Sequence, residues 1–273
     1  MKTSLKLLAI AATIGASYLA SAATSVYVIK NDGSLQYYKH TGTYNGKNAW
    51  PIQAKQIGTG WFETANKTFS GPNGSIYVIR PNGLLSFYKH TGTDNGAASW
   101  AVQNVTIGNG WQDFTKVFAG DNDNIYAITT TGDLLLYKFT STFNGVNNAP
   151  NSVPINGLKI GAGWDTFSTV FAGENNTIYG INPTGELFFY RHTEPFNNSV
   201  NFIVGGKRIG TGWGSYIKVF PGEDGNIYGV ESNGNLRFYK FAGTYDGAFK
   251  WPVQNKLVGI GWQDAVNVFT STN

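Results

Sequence analysis

Three tryptophans in this chain are each followed, three positions later, by a glutamine: Trp50 and Gln53, Trp100 and Gln103, Trp251 and Gln254. A sugar ring asks for this pairing: an indole covers its apolar C–H face, and a planar amide serves its hydroxyl and acetamido groups. Packing between neighbouring elements also uses an amphipathic Trp, so the residue types alone leave both roles open. Other chemistry has less to work with. The absence of Cys removes disulfides, thiolate catalysis and Cys-based metal sites. "DNDN" at Asp121 lacks the glycine and terminal Glu of a calcium loop and reads as a hairpin turn. No metal or cofactor is expected.

The elements that must position these residues follow from internal repetition. G-x-G-W recurs at Gly58–Trp61, Gly108–Trp111, Gly161–Trp164, Gly210–Trp213 and Gly259–Trp262. Each is followed by an apolar strand ending in Phe (Phe69, Phe118, Phe171, Phe220, Phe269), then a strand centred on Tyr (Tyr27, Tyr77, Tyr126, Tyr179, Tyr228). A third strand closes on Tyr-Lys or Tyr-Arg, from Tyr38-Lys39 to Tyr239-Lys240, after turn signals such as "PNGL" and "SNGN". A short fourth strand leads into the next G-x-G-W. Four antiparallel strands in about 50 residues make a propeller blade. The fold expected is all-β: a five-bladed β-propeller with one blade completed by both chain termini. G-x-G-W is then a hinge between blades rather than a phosphate loop, since no helix follows it.

One long, variable segment per unit separates the third and fourth strands, where binding residues usually sit on a rigid scaffold. The Trp position reads Trp50, Trp100, Val153, Phe202 and Trp251, and the Gln position Gln53, Gln103, Asn156, Gly205 and Gln254, so the two vary together. Glu63, Asp113 and Asp264, two residues after a hinge Trp, read as turn-capping carboxylates. The three His residues (His40, His90, His192) share one repeat position with Phe139 and Phe241, which points to packing rather than proton transfer. The basic residues after each third-strand Tyr read as solvated strand ends.

The first 22 residues, with Lys2 and Lys6, a short apolar run and Ala20-Ser21-Ala22, read as a signal peptide. The propeller then spans residues 23–273, and secretion, or a periplasmic location, is expected. Losing Lys2 and Lys6 lowers the net charge from +4 to +2, too little to indicate a nucleic-acid partner. No apolar span suggests membrane insertion.

The repeated unit (G-x-G-W, apolar strand to Phe, "IY" strand, Tyr-Lys) resembles that of the tachylectin family across the whole of 23–273. The resemblance implies a non-enzymatic lectin for N-acetylhexosamine glycans bearing GlcNAc or GalNAc, with sites between adjacent blades. It sets the loop of Trp100 against the Gly58–Glu63 hinge, that of Trp50 against Gly259–Asp264, and that of Trp251 against Gly210–Ser215. The carbohydrate-binding set implied is Trp50, Gln53 and Asn45; Trp100, Gln103 and Asn95; Asn201 and Phe202; Trp251, Gln254 and Asp246; with hinge glycines Gly60, Gly110 and Gly261. Where family members carry Asp-Asn before the Trp, this chain has Asn48-Ala49, Ala98-Ser99, Asn151-Ser152, Val200-Asn201 and Phe249-Lys250. Two other readings stay open: a protein-interaction scaffold and a propeller glycoside hydrolase. A hydrolase needs unique converging carboxylates, and the acids here mostly echo repeat positions.

Overall fold

A computed structural model of the protein describes residues 23–139, 155–195 and 199–272. They form five four-stranded antiparallel sheets. Blade one is β20 (Ala265–Ser271), β1 (Thr24–Lys30), β2 (Leu35–His40) and β3 (Ile52–Gly58). Blade two is β4 (Thr68–Ser70), β5 (Ser75–Ile79), β6 (Leu85–His90) and β7 (Trp100–Gly108). Blade three is β8 (Lys116–Ala119), β9 (Asn124–Ile128), β10 (Leu134–Lys138) and β11 (Ile155–Gly161). Blade four is β12 (Thr169–Ala172), β13 (Thr177–Ile181), β14 (Leu187–His192) and β15 (Phe202–Gly210). Blade five is β16 (Tyr216–Pro221), β17 (Asn226–Glu231), β18 (Leu236–Lys240) and β19 (Val253–Gly259). The innermost strands neighbour one another in the closed order β4, β8, β12, β16, β20. Blade one joins both chain ends, with Phe269 directly opposite Tyr27.

The second strand of each blade explains why the chain closes into a ring. A strand alternates its side chains between two faces, and here both faces are apolar and buried. In β1, Val26 and Val28 pack against blade five, whereas Tyr27 and Ile29 pack against blade two. Each of the five core clusters lies in one seam between blades. Within every blade the first-strand Phe stacks on the second-strand Tyr, with centroids 5.1–5.4 Å apart.

The shared His and Phe position lies in these seams. His40 Nε2 meets the Lys47 carbonyl at 2.7 Å and Nδ1 meets Tyr228 Oη of blade five at 2.8 Å. A carbonyl only accepts, so the proton sits on Nε2 and Nδ1 accepts from the phenol. His90 repeats this with Ala97 and Tyr27, and His192 does so with its nitrogens exchanged, using Thr193 and Tyr126. Phe139 and Phe241 fill the position in the other two seams. At Asp121, the carboxylate caps the next blade's turn by accepting the Asn175 and Asn176 amides. Three of the cations after a third-strand Tyr form ion pairs: Lys39 with Asp94, Lys138 with Glu194 and Lys240 with Asp224.

Burial holds all three histidines below the usual imidazole range, so each is neutral in its seam. A depressed folded pKa contributes stability that is present above the unfolded value of about 6.5 and lost as pH falls through the folded value. Asp121, Asp123 and Glu174, raised by burial, act in the opposite sense at lower pH. Thermal unfolding followed from pH 7 down to about pH 5 is expected to show a falling Tm. The fall should be smaller in a His40→Phe, His90→Phe, His192→Phe variant, which places the side chain of blades three and five in every seam.

Candidate functional site

Each hinge is built so that the chain can turn sharply under a tryptophan. Gly58 ends β3, and a Cβ there would stand 2.6 Å from Trp61 Nε1. Gly60 has φ 76°, a backbone that favours glycine, and its four counterparts lie between 76° and 81°. The buried hinge Trp donates its amide to the glycine carbonyl of the preceding blade's hairpin: Trp61 to Gly33, Trp213 to Gly185 and Trp262 to Gly234, at 2.9–3.0 Å. The amides of Gly60, Gly212 and Gly261 make no hydrogen bond among the described residues.

Against three hinges stands the loop Trp of the following blade. Trp50 Nε1 donates to the Val258 carbonyl at 2.6 Å, Trp100 Nε1 to Ile57 at 3.2 Å and Trp251 Nε1 to Ile209 at 2.8 Å. Each acceptor immediately precedes a hinge glycine. The loop indoles also lie against the hinge indoles, with centroids 5.5 Å (Trp50, Trp262), 6.1 Å (Trp100, Trp61) and 5.9 Å (Trp251, Trp213) apart. The indole N–H is thus spent on a cross-blade bond that fixes the ring, while the half-buried ring itself stays partly open to solvent.

What it opens onto is a hollow. Between blades five and one, about 280 Å³ is lined by Trp50, Gln53, Asn48, Tyr38 and Lys30 facing the Gly259–Trp262 hinge. Between blades one and two, about 380 Å³ is lined by Trp100, Gln103, Asn104, Tyr88 and Arg80 facing Gly58–Trp61. Between blades four and five, about 300 Å³ is lined by Trp251, Gln254, Phe249, Tyr239, Tyr216 and Arg208 facing Gly210–Trp213. These volumes lie at the small end of small-molecule sites, about 300–1,000 Å³.

The glutamines reach the hollows through a β-bulge. In blade one, Gln53 and Ala54 together oppose Tyr38; in blade two, Gln103 and Asn104 oppose Tyr88; in blade five, Gln254 and Asn255 oppose Tyr239. The second bulge residue has positive φ: 49° at Ala54, 54° at Asn104 and 52° at Asn255. Gln53 and Gln254 donate Nε2 back to the carbonyl of their own Trp, at 3.1 and 3.5 Å. The recurring Ala, Asn or Gly at this position is the sequence signal of the bulge. Tyr38, Tyr88 and Tyr239 are likewise site walls that the sequence showed only as strand landmarks. Burial holds the Tyr38 phenol above its ordinary value, so it remains a hydrogen-bond donor, here to Gln36 at 3.0 Å.

Other expected site residues lie elsewhere. Asn45, Asn95 and Asp246 are exposed and use their side-chain oxygens to accept the amide two residues on (Lys47, Ala97 and Ala248), which makes them turn formers rather than hollow walls. Glu63, Asp113 and Asp264 are exposed and outside the three linings. Gly60 and Gly261 border hollows, and so does Gly212, which is not in the set implied by the resemblance. Gly110 belongs to the hinge after blade two, and the blade-three loop carrying Val153 lies outside the described residues. In blade four, Phe202 packs against Trp164 at 6.4 Å but has no N–H for the cross-blade bond, and Asn201 is exposed and ties the loop to Thr193 through its main chain.

The Tachylectin family model matches this chain twice, over residues 28–149 and 144–273. A solved structure from work on the de novo evolutionary emergence of a symmetrical protein is 20% identical, with 91% of this chain and 99% of that one covered and a TM-score of 0.58. Yeast RCC1 (Prp20) bound to Kap60 is 10% identical with a TM-score of 0.40, covering 86% of this chain and 57% of its own. Human WBSCR16 is 11% identical with a TM-score of 0.38, covering 92% and 65%. No curated protein sequence matches.

The room beside each backbone separates a hinge glycine from one inside a fourth strand. Gly58→Ala is expected to displace Trp61 and cost about 1–3 kcal/mol in denaturant unfolding. Gly205→Ala, where an added Cβ meets nothing within 4 Å, should stay within about 0.5 kcal/mol of the parent.

Proposed function

The chain belongs to the tachylectin family, and from that membership and the three hollows we propose that it is a secreted, non-enzymatic lectin binding one sugar residue per hollow. The observation that carries this reading is the threefold recurrence of one arrangement: an anchored indole, a bulge-borne glutamine and an unpartnered glycine amide around the same space. An indole held by its own N–H bond presents a rigid apolar wall, the surface that a pyranose C–H face packs against. Glutamine and a phenol supply donors and acceptors in fixed positions, and the glycine amide adds a donor suited to an acetamido carbonyl. N-acetylhexosamines such as GlcNAc and GalNAc fit this set.

Shallow sites of this size bind weakly, with Kd of about 0.01–1 mM, or roughly −4 to −7 kcal/mol. Several on one rigid ring facing a glycan-dense surface raise avidity by about 10²–10⁴. The leader read at residues 1–22 supports export, with the mature chain starting near Ala23 and reaching glycans outside the cytoplasm.

Calorimetric titration of the mature protein with GlcNAc, GalNAc and a chitin oligomer tests the reading. Trp50→Phe, Trp100→Phe and Trp251→Phe, each installing the residue blade four already carries, are expected to weaken their own hollow about tenfold while the protein stays folded. Silence across a broad glycan array would contradict the lectin and favour a protein scaffold. Release of oligosaccharide from a polysaccharide would favour a hydrolase.

A further inference from the structure

The three hollows differ in charge. The last residue of the second strand, or the one just after it, is Lys30, Arg80, Thr129, Asn182 or Glu231 in blades one to five. In blade five, Glu231 is held by Arg237 at 2.9 Å, and the cation bordering that hollow, Arg208, is held by Glu186 at 2.7 Å. In the hollow of Trp50, Lys30 has no ion pair among the described residues, and no side chain there fixes its ammonium. In the hollow of Trp100 the cation is Arg80, which also has no carboxylate within ion-pair distance among the described residues but is fixed by its neighbours. Its contacts are neutral: Nη2 donates to Tyr88 Oη at 2.6 Å and to Asn104 Oδ1 at 2.8 Å, and Nε approaches Ser86 Oγ at 3.5 Å.

These contacts hold the guanidinium without neutralising it. Asn104 is the left-handed bulge residue beside Gln103, so the same kink that brings the glutamine to the hollow also fixes the cation there. A half-buried charge without a counter-ion carries a desolvation cost that an anionic ligand offsets, and Arg suits a planar carboxylate or a sulfate because its fork of N–H donors matches their oxygens. Nη1 makes no hydrogen bond among the described residues and remains available to such a group.

We infer that the hollow between blades one and two selects a sugar carrying an anionic substituent, a carboxylate or a sulfate, with Arg80 as its specificity-determining residue. The inference rests on the lectin reading above and assigns it a ligand class at one of the three hollows. The ring would lie on Trp100, its neutral polar groups would meet Gln103 and the Gly60 amide, and its acidic group would meet Arg80.

The test titrates the mature protein with N-acetylglucosamine, N-acetylglucosamine 6-sulfate and N-acetylneuraminic acid, at low and high salt. At least one acidic sugar is expected to bind about tenfold tighter than the neutral one at low salt, with the advantage shrinking as salt rises. Which acidic sugar gains identifies sulfate or carboxylate as the group. Arg80→Gln should abolish the acidic-over-neutral ratio and its salt dependence, Arg80→Lys should keep part of the ratio, and Trp251→Phe, in a different hollow, should leave the ratio intact. Neutral binding with no acidic advantage, or an advantage that survives Arg80→Gln, overturns this inference alone. Binding of no sugar overturns it together with the lectin reading.

Discussion

The second strand of every blade is apolar on both faces, and everything else in the molecule depends on that. No blade can bury such a strand by itself, because each face needs the blade on its own side. Five blades satisfy the requirement only by closing, and blade one closes the ring by pairing β20 with β1 and stacking Phe269 on Tyr27. A chain without disulfides therefore holds its two ends together through the same Phe and Tyr pair that it uses inside every other blade. The buried His and Tyr bonds across three seams specify the approach of neighbouring blades on top of this packing.

The seams that hold the ring together also create the hollows. A loop Trp bonded to the carbonyl ahead of the next-door hinge is at once a cross-blade tie and a wall facing solvent, so its packing leaves the ring partly open to the hollow. Blades one, two and five retain the full arrangement, whereas blade four substitutes Phe202 and Gly205 and loses both the tie and the amide. Repetition supplies similar sites at low cost, and residues outside the repeat consensus, such as Arg80, then differentiate them.

Much of the fold was legible because propeller blades are written in nearest-neighbour sequence patterns: the 49- to 53-residue beat of G-x-G-W, the period-two strands and the Asn-Gly turns. The joint occurrence of Trp and Gln picks out the segments that line the hollows for the same reason. The bulge was harder, because one extra residue in the fourth strand changes no pattern that a repeat alignment notices. Tyr38, Tyr88 and Tyr239 looked like strand ends, and only the packing of blades shows that they face a hollow. Asn45, Asn95 and Asp246 form Asx turns outside the hollows, a placement that residue type does not reveal because an Asx turn and a ligand-binding group use the same side chains. The state of Arg80 depends on which carboxylates come near it in space, which no local pattern records.

A crystal structure of the mature protein soaked with N-acetylglucosamine tests the central claim most directly. A pyranose ring is expected stacked on Trp50, Trp100 and Trp251, within hydrogen-bond distance of the adjacent glutamine and hinge glycine amide, and none at Phe202. Sugar bound elsewhere on the ring with these three hollows empty would contradict it.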